Sequence, residues 1–325
     1  MVNGAPGSAW AALRSSSGVD ALELLGTLSG DDPAPVTEAS LFDLASVTKV
    51  FTTVTALRLV DSGVLDLDEP CSRTLSIGFG PGSETITLRQ LLLHTSGLPA
   101  EGRLWRSGLR GDALRDAVLS TALVSAPGAE HRYSDVGFIA VSTLLERVSG
   151  RPLAQLVAEV ATLLGAESLT WEPDPLRSVA TEIQPHRGLV RAEVHDELAA
   201  ALGRPAGHAG LFGTVHDVAA LACMIREDGC GPRRRVLSPA SVRLLTAPSV
   251  RAEGFEQALG LRVRQRSWMG AADAVGHTGF TGTAFTVVPQ TGDFGVLLLN
   301  RVHPTRENTD VTAVRRRFFD SLSPR

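Results

Sequence analysis

DLASVTKVFTTVTALRLVDS, residues 43–62, sets a hydroxyl and an amine three positions apart, Ser46 and Lys49, at the head of an apolar segment. Residues spaced i, i+3 share one face of a helix, so the two side chains meet in its first turn. Val50, Phe51, Val54, Leu57, Leu59 and Val60 follow, interleaved with Thr52, Thr53 and Thr55, and no charge intervenes before Arg58. A helix apolar on nearly every face is a buried one. Gly63 supplies its stop.

Lys49 is the only lysine of the chain, although arginine recurs in LRSS, WRSGLR, GPRRRV and AVRRRFF. A guanidinium stays protonated in proteins, whereas an amine loses its proton when burial or a neighbouring charge lowers its pKa. That property suits a general base beside a serine hydroxyl. A compositional bias that happens to leave one lysine is the competing explanation, because Ser-x-x-Lys by itself is a weak pattern.

The whole chain has 325 residues, 43% hydrophobic and 20% charged, with a net charge of -4. This is the profile of a globular protein with a large core, about two domains by length. No clustered positive charge points to nucleic acid or to an anionic membrane surface. Cys71, Cys223 and Cys230 are too few and too irregularly spaced for a disulfide framework or a zinc knuckle. The first residues, MVNGAPGSAWAALRSSS, lack a basic and an apolar signal region, so a cytoplasmic location is expected. No apolar run approaches a membrane span.

Along the chain, residues 8–14 read as a short helix leading into a strand at 21–28. Thr87 and Gln90 form a capping-box pair before Leu91. Helices are expected at 113–124 with Asp112 as cap, at 136–148 ending on Gly150, at 153–164 ending on Gly165, at 216–227, and after Ser238-Pro239. Residues 172–205, rich in Pro and Arg, read as a long loop. Strands are expected at 258–264, 284–288 and 295–299, the last two joined as a hairpin by PQTGDF, then an amphipathic helix at 309–322 with Val311, Val314, Phe318 and Leu322 in one stripe. Strands at both ends with helices between imply an α/β sheet domain of residues 1–68 and 250–325. The helical part, residues 69–249, would be inserted into it.

Two further segments carry chemistry. Tyr133 in Tyr133-Ser134-Asp135 is the only tyrosine, in a chain whose other aromatic residues are Phe and Trp. A phenol beside a lysine relays protons to and from a serine or a leaving group, although a tyrosine tying down a loop has the same signature. His277-Thr278-Gly279, followed by Phe280-Thr281-Gly282, places glycines beside a strand, where a substrate lies along the backbone. A turn with a surface histidine is the plainer alternative.

In this order and spacing, the three segments resemble the serine β-lactamase and penicillin-binding protein superfamily, in its class C β-lactamase, D,D-peptidase and family VIII esterase branch. FDLASVTKVFTT, LRQLLLHTSGL, GHAGLFGTVHDVAAL at 207–221 and GHTGFTGTAF carry the resemblance over nearly the whole chain. It implies a β-lactamase/transpeptidase-like α/β (α+β) fold: a sheet of about five antiparallel strands built from both termini, flanked by helices, with an inserted all-helical domain and the active site in the groove between. It further implies that Ser46 is acylated, that Lys49 is its base partner and that Tyr133 shares proton transfer. The backbone N–H groups of Ser46 and Phe280 would form the oxyanion hole. Asp135, His277, Thr278, Gly279 and Arg301 would contact substrate, and the scheme uses no metal or cofactor.

Two positions depart from the usual pattern: His277 stands where Lys-Thr-Gly often begins, and Asp135 where Asn is usual after Tyr-Ser. A neutral imidazole attracts a substrate carboxylate less than an ammonium, and an aspartate repels one, so a neutral ester or amide is expected to fit better than an anionic β-lactam. Arg301 or His303 would be the residue to reverse that balance. A pairing of Asp135 with Lys49 would raise the lysine pKa and shift the base role to Tyr133. His94 is read as a helix-end residue bonding loop carbonyls, His208 as part of the groove wall, and His195-Asp196 as a hydrogen-bonded loop pair. The chain thus reads as a serine hydrolase of a small ester, amide or peptide-like substrate. An acyltransferase with the same acyl-enzyme and a non-turnover binding or sensor protein of the same fold are the alternatives.

Overall fold

The computed structural model describes residues 7–16, 18–75, 80–101, 103–270, 273–307 and 310–322. Its strands are β1 Ala9–Ser16, β2 Val19–Gly26, β3 Phe42–Asp43, β4 Ile183–Gln184, β5 Gly188–Leu189, β6 Phe212–Gly213, β7 Val250–Ala252, β8 Phe255–Gln257, β9 Arg262–Val263, β10 Val275–Thr278, β11 Ala284–Val287 and β12 Phe294–Leu299. The helices are α1 Thr48–Asp61, α2 Leu88–Leu92, α3 Gly111–Leu119, α4 Asp135–Ser149, α5 Leu153–Leu164, α6 Glu197–Leu202, α7 Val215–Arg226, α8 Pro239–Thr246 and α9 Thr312–Asp320.

Among the described residues eight strands make one antiparallel sheet in the order β2-β1-β12-β11-β10-β9-β8-β7, wider than the five or so implied by the resemblance. The added width is the run of short strands β7, β8 and β9 hung on β10. The expected β11–β12 hairpin is present, with Phe285 opposite Val296. Both chain ends feed the sheet, since β1 lies between β2 and β12.

Residues 8–14 are not helical. They form most of β1, although Ala and Leu there favour a helix. Burial on two faces overrides that preference: Ala9, Ala11 and Leu13 enter the main core, while Trp10 and Ala12 join the cluster under α9. That second cluster contains Val311, Phe318, Phe319 and Leu322, so the expected stripe of the last helix faces the sheet. Thr309, placed in that helix by the sequence, lies outside the described residues.

On the opposite face α7 packs across β12, β11 and β1, and α1 lies deeper, against α4 and α5. Val50, Phe51, Val54 and Leu57 of α1 are fully buried, which contributes roughly 1.5–3 kcal/mol for each. One continuous apolar cluster runs from the sheet through α1, α4, α5 and α7. The expected capping box is present at α2, Ser238 caps α8 with Pro239 behind it, and α4 and α5 end on left-handed Gly150 and Gly165. Asp112 does not cap α3: the cap position is Arg110, and Asp112 lies in the first turn, bridged to Arg115 and Arg204. Residues 172–205 hold the β4–β5 hairpin and α6, the latter capped by the Asp196 carboxylate, where the sequence suggested only a loop. No described helix is long and apolar enough to cross a membrane.

Candidate active site

Ser46 lies in a 3-10 turn, Ala45–Val47, that leads directly into α1. The residue before it, Ala45, has a φ of 48°, in the left-handed region that residues with a Cβ avoid. Strain of this kind persists where surrounding bonds over-determine the backbone, and here they are visible. Asp43 takes the Ala45 amide on Oδ1 at 2.8 Å and the His195 amide on Oδ2 at 2.7 Å. Burial raises the Asp43 pKa, with the two amides acting in the other direction. Thr281 donates its hydroxyl to the Asp43 carbonyl at 2.8 Å, and Thr283 donates to the Leu44 carbonyl at 3.0 Å. The turn carrying the hydroxyl is thus bolted to the turn after β10.

Gly279 makes that approach possible. A Cβ there would collide with Thr283 Oγ1 and lie 2.6 Å from the Leu44 carbonyl oxygen. Gly279→Ala is expected to destabilise the fold by about 2–3 kcal/mol, because backbone rather than a flexible chain end must move. Urea unfolding checks this, and a change under about 0.5 kcal/mol would show that the turn yields freely.

Lys49 is fully buried. Its Nζ donates to Ser46 Oγ at 3.2 Å and to the His208 carbonyl at 2.9 Å, and pairs with Asp135 Oδ1 at 2.6 Å. Burial pushes its pKa down, but the Asp135 charge and then Tyr133 outweigh this, and the amine ends above its ordinary value. That direction favours the ammonium form of Lys49, the case in which the sequence expectation passes the base role to Tyr133. An ammonium is compact, and this one donates to two acceptors, Ser46 Oγ and the His208 carbonyl, while it is ion-paired with Asp135. That geometry, rather than deprotonation, is what arginine fails to reproduce here.

Tyr133 is half-buried beside this pair, its ring centroid 4.9 Å from Lys49 Nζ. Its loop is held by the segment after α2: Arg132 donates its amide to the His94 carbonyl, Asp135 donates to that of Ala100, and the Ser134 hydroxyl donates to that of Pro99. His94 does not bond loop carbonyls as expected. Its Nδ1 accepts the Ser134 amide at 3.1 Å, and its ring lies 4.5 Å from that of Tyr133. Burial and the nearby Lys49 charge keep His94 well below its ordinary pKa, hence neutral.

His277 is buried rather than exposed on a turn. It sits on β10, opposite Phe285, with its ring 6.2 Å from that of Tyr133. Burial, Arg262 and Lys49 hold its pKa well below the usual value. It supports Tyr133 and is not among the residues that line the groove.

The groove over Ser46 has a volume of about 600 Å³ and is lined by Ser46, Tyr133, Thr278, Gly279 and Phe280 together with Arg262, Arg301, Arg315, Asp310, Val311 and Thr312. A smaller cavity of about 210 Å³ opens beyond Ser46 toward Asp135, His195 and Asp196. Of the expected contacts, Thr278, Gly279 and Arg301 border the larger groove and Asp135 the smaller one.

Arg262 and Arg315 escaped the sequence reading. Arg262 reaches the groove from β9, opposite Gly276, with its guanidinium 5.5 Å from the Tyr133 ring centroid. Burial lowers its pKa, Tyr133 opposing. Arg315 reaches in from α9 and donates to the carbonyls of Gly279 and Thr283 at 2.9 and 3.1 Å. No local motif marks either arginine, since only strand register and helix docking bring them to the site.

His303 is not among the residues that line the groove. Its Nε2 accepts the Gly30 amide at 3.0 Å while Nδ1 faces the Thr181 carbonyl at 3.0 Å, so both ring nitrogens are spent on loop backbone. His208 is buried and acts through its carbonyl on Lys49 rather than as groove wall, with its ring bonded to Asp196 at 3.0 Å. His195 and Asp196 bond other residues instead of each other: His195 pairs with Glu182, and Asp196 with His208.

A family model described as Beta-lactamase matches residues 3–317. A protein of Escherichia coli O157:H7 provisionally named a D-alanyl-D-alanine carboxypeptidase is 30% identical over 314 residues, covering 83% of this chain and 71% of that one. An N-acetylmuramyl-L-alanine amidase of Bacillus subtilis (strain 168) is 30% identical over 313 residues, covering 83% and 70%. Among solved structures, EstCE1, described as a hydrolase with promiscuous acyltransferase activity, superposes with a TM-score of 0.80 at 22% identity, covering 97% of this chain and 93% of that one. A class C beta lactamase from Rhodobacter sphaeroides gives 0.77 at 19% identity, covering 97% and 94%. A serine and a buried ammonium in contact under an open groove, on this fold and with a family match over nearly its full length, make the chain a serine hydrolase that belongs to the beta-lactamase family.

Proposed function

We propose that this chain cleaves an ester or amide whose portion lying in the larger groove ends in a carboxylate, through an acyl-enzyme on Ser46. The observation that carries the substrate class is the trio Arg262, Arg301 and Arg315 around one groove, against one carboxylate among its described residues, Asp310. Asp135, expected to repel an anion, is instead paired with Lys49. Asp135 therefore no longer weighs toward a neutral substrate, and the three guanidinium groups on the groove outweigh the neutral ring of His277, which does not line it. The relatives above are named as a carboxypeptidase of D-alanyl-D-alanine and an amidase of N-acetylmuramyl-L-alanine, names of amide hydrolases with alanine-containing substrates, which fits this reading.

In the proposed reaction Ser46 Oγ attacks the carbonyl carbon and its proton passes to Tyr133 Oη, while Tyr133 gives up its own phenolic proton to the leaving atom. Lys49 stays protonated and stabilises the forming alkoxide through the 3.2 Å contact. Arg262 and Lys49 flank the Tyr133 ring and ease the release of that proton. The backbone N–H groups of Ser46 and Phe280 take the carbonyl oxygen as it becomes anionic. The leaving group departs with that proton, and water, activated in the reverse sense, releases the acid.

A depsipeptide with a free terminal carboxylate and its terminal amide provide the test. The acid is expected to react with a kcat/KM about tenfold or more above that of the amide, the size of one charge-assisted hydrogen bond. Arg262→Gln is expected to remove most of that preference, lowering the rate on the acid well below its parental value and the rate on the amide by a smaller factor, since the same guanidinium also acts on Tyr133. Equal rates for the two esters in the parent protein would sink the carboxylate reading.

A further inference from the structure

Phe280 is 47% exposed, yet its ring is held on several sides. The His195 ring stacks on it at 5.7 Å and 24°, and the guanidinium carbons of Arg301 and Arg306 lie 4.5 and 5.5 Å from its centroid. Arg301 Nε also donates to the Phe280 carbonyl oxygen at 2.6 Å, which fixes the tilt of the following peptide. Stacking of guanidinium and imidazole on an aromatic face is attractive and directional.

Behind the ring stands a buried carboxylate. Glu182 is 5% exposed and meets His195 Nε2 at 3.0 Å, while it accepts from the Arg306 amide at 3.0 Å and from Arg306 Nε at 2.8 Å. Burial works against its charge, but the bonds from Arg306 and His195 prevail and bring its pKa to about 2, so it is ionised at neutral pH. Arg306 is pinned from a second side by Glu197 at 2.7 Å. The His195 amide binds Asp43, the same carboxylate that fixes the strained Ala45. One short segment thus touches both the Ser46 turn and the Phe280 ring.

We infer that Glu182, His195 and Arg306 form a clamp that positions Phe280 through its side chain, so that its backbone N–H stays aimed at the carbonyl oxygen attacked by Ser46. The inference rests on the reading of Ser46 as nucleophile and of the Phe280 N–H as oxyanion donor. All three are positioning residues, since none of them donates to that oxygen. An exposed ring on a glycine-flanked turn gains a reason for its identity: its backbone contributes the donor and its face supplies the handle.

The test uses Phe280→Ala, Phe280→Trp, Glu182→Gln and the double variant Phe280→Ala/Glu182→Gln in the full chain. Readouts are kcat and KM on an activated neutral ester, and the rate at which a fluorophosphonate labels Ser46, followed by intact-protein mass spectrometry. Phe280→Ala is expected to lose about tenfold in kcat and in labelling rate with KM changed by less than about threefold, a fraction of the loss from deleting a donor outright. Phe280→Trp, which keeps a stackable face, is expected to recover most of it. Glu182→Gln is expected to lose about fivefold, and the double variant no more than the worse single, because both act through one ring.

Parental kcat in Phe280→Ala, or losses that multiply in the double variant, would overturn the clamp. If Glu182→Gln fails to fold, the Phe280 pair still decides, since that ring is exposed and its removal leaves the core intact. Failure of the parent protein to be labelled at Ser46 refutes the acyl-enzyme reading itself, and the clamp with it. Labelling at equal rates in parent and Phe280→Ala refutes the clamp alone.

Discussion

Lys49→Arg is expected to lower kcat/KM by about 10²–10³-fold while the protein remains folded, a loss comparable to that of a key charge-stabilising donor. Both side chains are cations, so charge alone predicts little change. Geometry predicts a large one. Nζ sits at the meeting point of Ser46 Oγ, the His208 carbonyl and Asp135 Oδ1, at 3.2, 2.9 and 2.6 Å. A planar guanidinium presents its donors outward along a fork and does not bring one nitrogen to two acceptors and an ion-pair partner at once. The longer head must also fit between the Tyr133 and Phe138 rings, 4.9 and 5.7 Å from Nζ, in a site with no exposure. Overpacking of that kind costs about 1–3 kcal/mol, below the 5–15 kcal/mol typical of a domain, so folding survives. Single-turnover acylation and thermal unfolding separate the two effects. Parental acylation in the arginine variant would remove Lys49 from the reaction.

The segments that carry chemistry were legible because each is local: Ser46 and Lys49 share a helical turn, Tyr133 precedes a capped helix, and His277 to Phe280 form a strand and its turn. Helices with their own caps were legible for the same reason, as Thr87 with Gln90 and Gly165 after α5 show. What sequence alone misread depends on partners distant in the chain. Residues 9–16 form a strand because β2 and β12 flank them, which no local preference encodes. Lys49 was expected to titrate low because burial was legible and its partner was not fixed: the 2.6 Å contact with Asp135 spans from residue 49 to residue 135. Arg262 and Arg315 lie in unremarkable surroundings and become site residues only when β9 pairs with β10 and α9 docks beside the groove. The charge of the groove, and with it the proposed substrate, was accordingly the feature furthest from the sequence.

Asp135→Asn is expected to destabilise the protein by about 3 kcal/mol near neutral pH, the low end for breaking a buried ion pair, because the Asp135 side chain keeps 21% of its exposure. Lys49, with none, would be left as an uncompensated buried cation. In the parent protein its raised pKa contributes stability that is fully present below the unfolded value of about 10.4 and is lost only as pH rises through the higher folded value. Without the carboxylate, burial becomes the dominant influence and the folded pKa falls below the unfolded one. The unfolded chain then binds more protons between the two values, so the stability of the variant rises with pH across that window. The deficit relative to the parent should therefore shrink between about pH 7 and about pH 9.5 in urea titrations. The same change frees the amine to act as a base, so kcat/KM of the variant should climb with pH over that interval more steeply than the parent's. An equal deficit at both pH values would mean that Lys49 keeps its proton without Asp135, and that Tyr133, the other contributor to its raised pKa, is its main counterpart.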